Sequence, residues 1–177
     1  MNDQNWNKFK TLVHYICEKA EDPSLLGAVK LNKVLWYADA FNYMTTGAPI
    51  TCATYVKRQH GPVPNAVVTA VDQLVTERKI ARGHVNHFNY GKHEYISIEP
   101  VDKSAFNGNE ISLVDEAFEY VCVKHTAKSI SEETHGTIWK LAEIGECIPL
   151  ETVFANQLGE IDENDIFWAQ EKLALAA

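Results

Sequence analysis

The sequence predicts a predominantly α-helical α+β domain carrying one small β-hairpin, and three observations carry that expectation. Apolar residues recur at i, i+3/i+4 steps along most of the chain. One segment, residues 79–99, instead alternates about a turn-rich centre. The 177 residues show no internal repeat, linker or low-complexity tract, so a single domain over 1–177 with one core is expected.

The elements follow in order. Trp6, Phe9, Val13, Ile16, Cys17 and Ala20 share one face of a first helix that ends near Asp22-Pro23. In "LLGAVKLNKVLWYADAFNYMTTG", Leu31, Val34, Leu35, Ala38 and Phe41 form the stripe of a second helix, and Gly47 is placed to stop it. A third begins just after Pro64, with Ala66, Val67, Ala70, Val71, Leu74 and Val75 inward. The segments "KIARGHVNHF" and "KHEYISIEP" then flank Asn89-Tyr90-Gly91 as a hairpin whose second strand alternates around Ile96 and Ile98. Ser112 with Asp115 resembles a capping box heading "LVDEAFEYVCVKH". A further helix starting near Ser129 or Ser131 carries Ile138, Trp139 and Leu141, with Gly145 as a stop and Pro149 blocking continuation. A last helix is expected after Asp162, with Ile166, Phe167, Ala169 and Leu173.

Composition removes several classes. With 46% hydrophobic and 23% charged residues the chain is globular rather than disordered. No apolar run reaches the roughly 20 residues of a membrane span, and "MNDQNWNKFK" lacks the apolar region of a signal peptide. Cys17, Cys52, Cys122 and Cys147 are widely spaced without a CxxC pair and read as reduced, mostly buried residues of a cytoplasmic protein. Net charge is −8, split as +4 over residues 1–93 and −12 over residues 94–177. An acidic half of this kind repels nucleic acid and favours a basic protein partner.

Catalytic and metal patterns fail one by one. Neither a phosphate-cradling glycine loop nor a GxSxG elbow is present. His93-Glu94 opens like HExxH, but Ser97 stands where the second ligand belongs. His84, His87 and His93 cluster at the hairpin, yet a spacing of three on a strand sends His84 and His87 to opposite faces, whereas zinc needs converging ligands. Cys52 and His60 lack an identifiable orienting carboxylate. Asp39, between Tyr37 and Phe41, is expected as a partly buried acid held by a basic partner or by hydrogen bonds. No enzyme, cofactor or metal is expected.

The order helix 65–78 then hairpin is that of a winged helix, a DNA-binding architecture. Lys57, Arg58, Arg78, Lys79, Arg82 and Lys92 are available for phosphates. Against DNA binding stand Asp72 and Glu77 on the exposed face of that helix and a pI near 5.3.

One constellation remains. A helix carries Lys30, Leu31, Lys33, Leu35, Tyr37 and Asp39; Gly47, Pro49 and Ile50 follow; then come a polar stretch and Gly61-Pro62-Val63. In this order and spacing the residues resemble the SocA-like antitoxin domain, or Panacea domain, most strongly over about residues 25–70. The resemblance continues more loosely to Ser131, His135, Trp139 and Gly159–Ile161. It implies a type II antitoxin, often carried by prophages, that neutralises a toxin encoded by an adjacent gene through direct protein contact. A homo-oligomer is compatible with it, and no membrane is involved. Some members of the family carry an added DNA-binding region, and none is expected in these 177 residues. A winged-helix regulator and a proteolytic adaptor delivering a toxin to a protease stay open as alternatives. The toxin-facing candidates are Trp36, Tyr37, Tyr55, Lys57, Arg58 and His60, since aromatic and Arg residues anchor interfaces and a turn restricted by prolines loses less entropy on docking. Trp36 and Tyr37 are equally suited to packing inside.

Overall fold

The second helix is the axis of the protein. The computed structural model describes residues 2–87 and 90–154. In it α2 (Ala28–Thr46) touches α1 (Asp3–Lys19), α4 (Gly108–Phe118), α5 (Ala127–Glu133) and both small sheets. Its buried residues Leu31, Lys33, Val34, Leu35, Trp36, Ala38, Asp39, Ala40 and Asn42 lie on every side of the helix. A single apolar stripe is therefore too narrow a description: a helix surrounded by others has no solvent face to keep polar. It begins at Gly27 without a side-chain cap and stops at Gly47, whose φ of +76° and N–H to Tyr43 O close the end as expected.

The other elements pack around this axis. Phe9, Leu12, Val13 and Ile16 of α1 and Val67, Ala70, Val71 and Leu74 of α3 (Val67–Thr76) join one core with Val114, Ala117, Phe118, Val121, Cys122 and Ile130. The fold is predominantly helical α+β, but it carries two hairpins rather than one. Strands β1 (Tyr55–Arg58) and β2 (Gly61–Pro64) pair antiparallel from Tyr55↔Pro64 to Arg58↔Gly61. Strands β3 (Ile80–His87) and β4 (Tyr90–Ser97) pair from Ile80↔Ser97 to His87↔Tyr90. That register places Tyr90 and Gly91 inside β4 rather than at the turn. Tyr95, only 5% exposed, points inward with Ile80, whereas Ile96 and Ile98 are half exposed.

Three boundaries differ from the expectation. Helix α4 starts at Asn107, whose side chain accepts from Glu110 N while Glu110 accepts from Asn107 N; this capping box lies upstream of Ser112 and Asp115. After α4 the chain makes one wider π-helical turn, Glu119–Val123. The helix expected around residues 129–141 is two, α5 and α6 (Thr137–Leu141), broken at Gly136, the extended N-cap of α6. Segment Leu150–Phe154 is a 3₁₀ turn. The helix expected after Asp162 lies outside the described residues. No helix among them is long and apolar enough to cross a membrane.

Candidate interaction site

The motif residues converge on the first hairpin. Beyond Arg58 only Gln59 and His60 turn the chain, and Gly61 follows with φ +107°, a conformation costly for any residue with a Cβ. On its free edge β1 meets a returning segment: Lys57 N donates to Glu146 O (2.8 Å), Gly145 N to Lys57 O (2.9 Å) and Ile148 N to Tyr55 O (2.8 Å). On the other side β2 leans on α2.

Two of the aromatic candidates act inside. Trp36 is 7% and Tyr55 2% exposed, and their rings meet edge to face at 4.9 Å beside Ile148. The Tyr55 hydroxyl stands 2.8 Å from both Leu35 O and Asp39 Oδ2. Asp39 is fully buried rather than partly, and hydrogen bonds satisfy it instead of a basic partner. Its Oδ1 accepts from Thr51 N (2.8 Å) and its Oδ2 from Thr51 Oγ1 (2.6 Å). Burial pushes its pKa up to about 6, against the pull of these donors. The carboxylate thus ties α2 to the chain entering β1. Tyr37 is half-buried; its hydroxyl donates to Glu133 Oε1 (2.7 Å), which the Tyr120 hydroxyl also reaches.

The charged candidates divide in two. Lys57 donates to Ala142 O (2.8 Å) and lies 4.2 Å from the centre of the Trp139 ring. Trp139 stacks on His135 and donates from Nε1 to Arg58 O (3.2 Å), so α6 clamps β1. The Arg58 and His60 side chains are exposed at the hairpin tip, while His60 O accepts from Ser131 Oγ (3.1 Å). Of the remaining motif residues, Lys30 donates to Cys122 O (2.9 Å), Leu31 is core, Pro62 is buried, and Val63 packs against the core. Lys33 is only 1% exposed, and burial lowers its pKa to about 7. Gly61 makes room for it: a Cβ there would stand 2.0 Å from Lys33 Nζ.

Two clefts flank the hairpin. One, of about 410 Å³, is lined mainly by Trp36, Tyr37, Phe41, Met44, Pro62, Ile138 and Trp139. The other, of about 380 Å³, lies between the first turns of α2 and the tip, bounded by Ala28, Val29, Asn32, Lys33, Arg58, Gln59, His60 and Val63.

Two groups of residues elsewhere were singled out in the sequence, and for the cysteines the expectation changes. His84 and His93 face each other across the second hairpin with rings 5.4 Å apart, but no set of three potential metal ligands exists among the described residues. Cys52 and Cys147 are exposed, so only half of the cysteines are buried. Sequence reasoning missed the first hairpin, the Thr51 partnership and the Trp139 clamp. The glycine and prolines of "GPVP" signalled a turn, but four-residue strands with two prolines carry little strand signal, and the segment 145–148 that bonds the other edge of β1 lies far along the chain.

Fold and site define a helical α+β domain whose sequence motif is spent mostly on holding one hairpin against a buried helix. The family model for the SocA-like antitoxin, Panacea domain, matches residues 31–140, and the chain belongs to that family. The match includes every motif position from Leu31 to Trp139; Lys30 falls just before it and Gly159–Ile161 beyond it. Membership supports an antitoxin role in general terms. Comparison with curated proteins and with solved structures gave no match.

Proposed function

We propose that this protein is the antitoxin of a type II toxin–antitoxin pair and neutralises the toxin encoded by its neighbouring gene, in the cytoplasm, through direct binding at the first hairpin. The observation that carries this reading is the division between the family-motif residues together with Tyr55 and the exposed candidates at the hairpin tip. Lys30, Leu31, Lys33, Asp39, Tyr55, Pro62 and Val63 are drawn into the scaffold, and Arg58 and His60 are left presented between two open clefts. A rigid tip beside apolar concavity supplies anchoring area at low entropic cost. Co-expression with the adjacent gene product tests it: growth arrest by that product alone, relieved by this protein at unchanged toxin level, is the expected result. A neighbour that is harmless alone, or toxic regardless, overturns the reading, and a falling toxin level replaces it with delivery to a protease. Arg58→Glu is expected to weaken neutralisation about tenfold or more through reversed charge while leaving the melting temperature unchanged; equal losses of both would place Arg58 in the scaffold.

The winged-helix order of α3 and the second hairpin gives DNA binding its only support, and the ion pairs there oppose it. Arg82 pairs with Asp72 (2.8 Å), Lys79 with Glu77 (3.0 Å) and Lys92 with Glu94 (3.4 Å), so these cations are engaged within the protein. A gel shift on the upstream region at moderate salt is expected to show no sequence preference.

A further inference from the structure

Glu133 is the one charged residue among the described residues lining the 410 Å³ cleft, and its carboxylate is held in place without being neutralised. Its Oε1 accepts from the Tyr37 hydroxyl on α2 (2.7 Å) and from the Tyr120 hydroxyl on the π-helical turn. Two donors on one oxygen fix a side chain that would otherwise rotate at the surface. Near Oε2 stands only His125 Nε2, at 3.5 Å. Glu18, Asp72, Glu77, Glu94, Glu110 and Asp115 each pair with a lysine or arginine, whereas no such cation among the described residues reaches Glu133. Its side chain is 37% exposed, so an incoming group has a route to it.

The walls suit one kind of cation. Trp36, Tyr37, Phe41, Ile138 and Val153 make them predominantly apolar. The Tyr37 ring, tilted against Phe41 at 5.6 Å, stands beside the carboxylate that its own hydroxyl holds. Lys57 and His135 already occupy the Trp139 ring, so aromatic attraction for a new cation falls to Tyr37 and Phe41. A guanidinium fits such a place better than an ammonium, being planar, weakly hydrated and able both to stack on rings and to fork onto a carboxylate. The sign agrees with the charge of −12 over residues 94–177, which attracts a basic partner.

We propose that this cleft receives one arginine side chain of the partner protein, with Glu133 as its counter-charge and Tyr37 and Phe41 as the rings beside it. A neutral apolar side chain would fill the walls but would enclose the Glu133 carboxylate without a counter-charge, which disfavours it. Arg58 and His60 at the hairpin tip carry the opposite sign, so the two charges together fix the orientation in which the partner docks. The proposal rests on the antitoxin reading for the identity of the partner, and not for the existence of the site.

Two arms keep those apart. In the first, the full chain is titrated with N-acetyl-arginine amide and followed by NMR, the neutral citrulline counterpart serving as control. The arginine compound alone is expected to shift the Gly136 and Ile138 amides, and Glu133→Gln, which keeps an acceptor for the two hydroxyls, to abolish the shifts. Unshifted amides, or equal shifts with citrulline, overturn the site. In the second, the purified neighbour protein is titrated by calorimetry. Glu133→Gln is expected to weaken binding about tenfold or more. One toxin arginine, changed to glutamate, is expected to weaken the wild-type complex equally, and Glu133→Arg to restore binding to that toxin variant. Failure of any toxin arginine to show this exchange overturns the pairing, since a Glu133 that only braces the two tyrosines gives none. Val153→Trp, which fills the cleft from the 3₁₀ turn, is expected to weaken binding as well and stands in if the Glu133 variants fail to fold. Full-strength toxin binding by Glu133→Gln and Val153→Trp overturns the partner and assigns the site to a free guanidinium ligand. Self-association of the wild type that Glu133→Gln removes makes a second copy of this chain the occupant and overturns the partner likewise. Absence of wild-type binding to the neighbour refutes the antitoxin reading alone, and the arginine arm then decides the site.

Discussion

Replacing Lys33 by Met is expected to make the free protein more stable, by an amount that depends on pH in a calculable way. Met keeps the straight side chain that fills the space beside Gly61 and removes the unpaired amine. Burial lowers the Lys33 pKa from 10.5 to about 7. Each unit corresponds to about 1.4 kcal/mol, so the protonated lysine costs the fold up to about 5 kcal/mol, with relaxation around the charge bringing an expected gap of about 3–5 kcal/mol. The sign follows from proton counting. Below pH 7 lysine is protonated in both states, and the penalty is complete. Between pH 7 and 10 the unfolded chain holds one proton more than the folded one, so wild-type stability rises with pH at about 1.4 kcal/mol per unit. Groups common to both proteins cancel in the difference. Urea unfolding of both at pH 6, 7, 8 and 9 is the assay, with midpoints converted through a shared slope. The gap should be widest at pH 6 and close steadily above pH 7. A gap independent of pH, or a variant less stable than wild type at pH 6, would refute the claim that Lys33 is buried without a partner.

Gly61→Ala is expected to destabilise by about 2–4 kcal/mol, part from its positive φ and part from collision with Lys33 Nζ. Combined with Lys33→Ala it should show a favourable coupling of about 1 kcal/mol or more, since only the collision is relieved; strict additivity in a denaturation cycle would separate the two sites. Tyr55→Phe removes a buried donor to Asp39 and should cost about 1–3 kcal/mol by urea midpoint; a negligible change would show that the buried carboxylate does not depend on this hydroxyl. Asn107→Ala opens the capping box of α4 and should cost about 1 kcal/mol in the same assay.

What could be read from the sequence was what is encoded locally. The first three helices, the Gly47 stop and the second hairpin follow from periodicities within ten to twenty residues, and the motif order located the family. The start of α4 was misplaced because Asn107 with Glu110 and Ser112 with Asp115 both satisfy the capping pattern, and only packing chooses between them. Gly136 sits inside a helical pattern that tolerates glycine, so the break between α5 and α6 left no local trace. The first hairpin has four-residue strands, two prolines and a partner segment at residues 145–148, which no short window contains. The site was legible as residues but not as roles. Lys33 follows Leu31 at a spacing that suggests solvent, and only the enclosure of α2 on all sides turns it inward. Trp36 and Tyr55 have the composition of interface anchors and instead brace the hairpin from below.

The two prolines of β2 have a consequence for how anything can be recognised there. Proline has no N–H, so the ladder to β1 must run through Gly61 and Val63, and positions 62 and 64 are those whose donors would have faced away from β1. Both prolines are buried. The chain thus presses a strand against α2 without stranding a single amide there, because the groups that would need partners were never made. The same absence leaves half a ladder on that edge, carbonyls alone, on which an incoming strand finds no donors. Whatever binds this hairpin must read side chains and shape, and cannot extend its sheet.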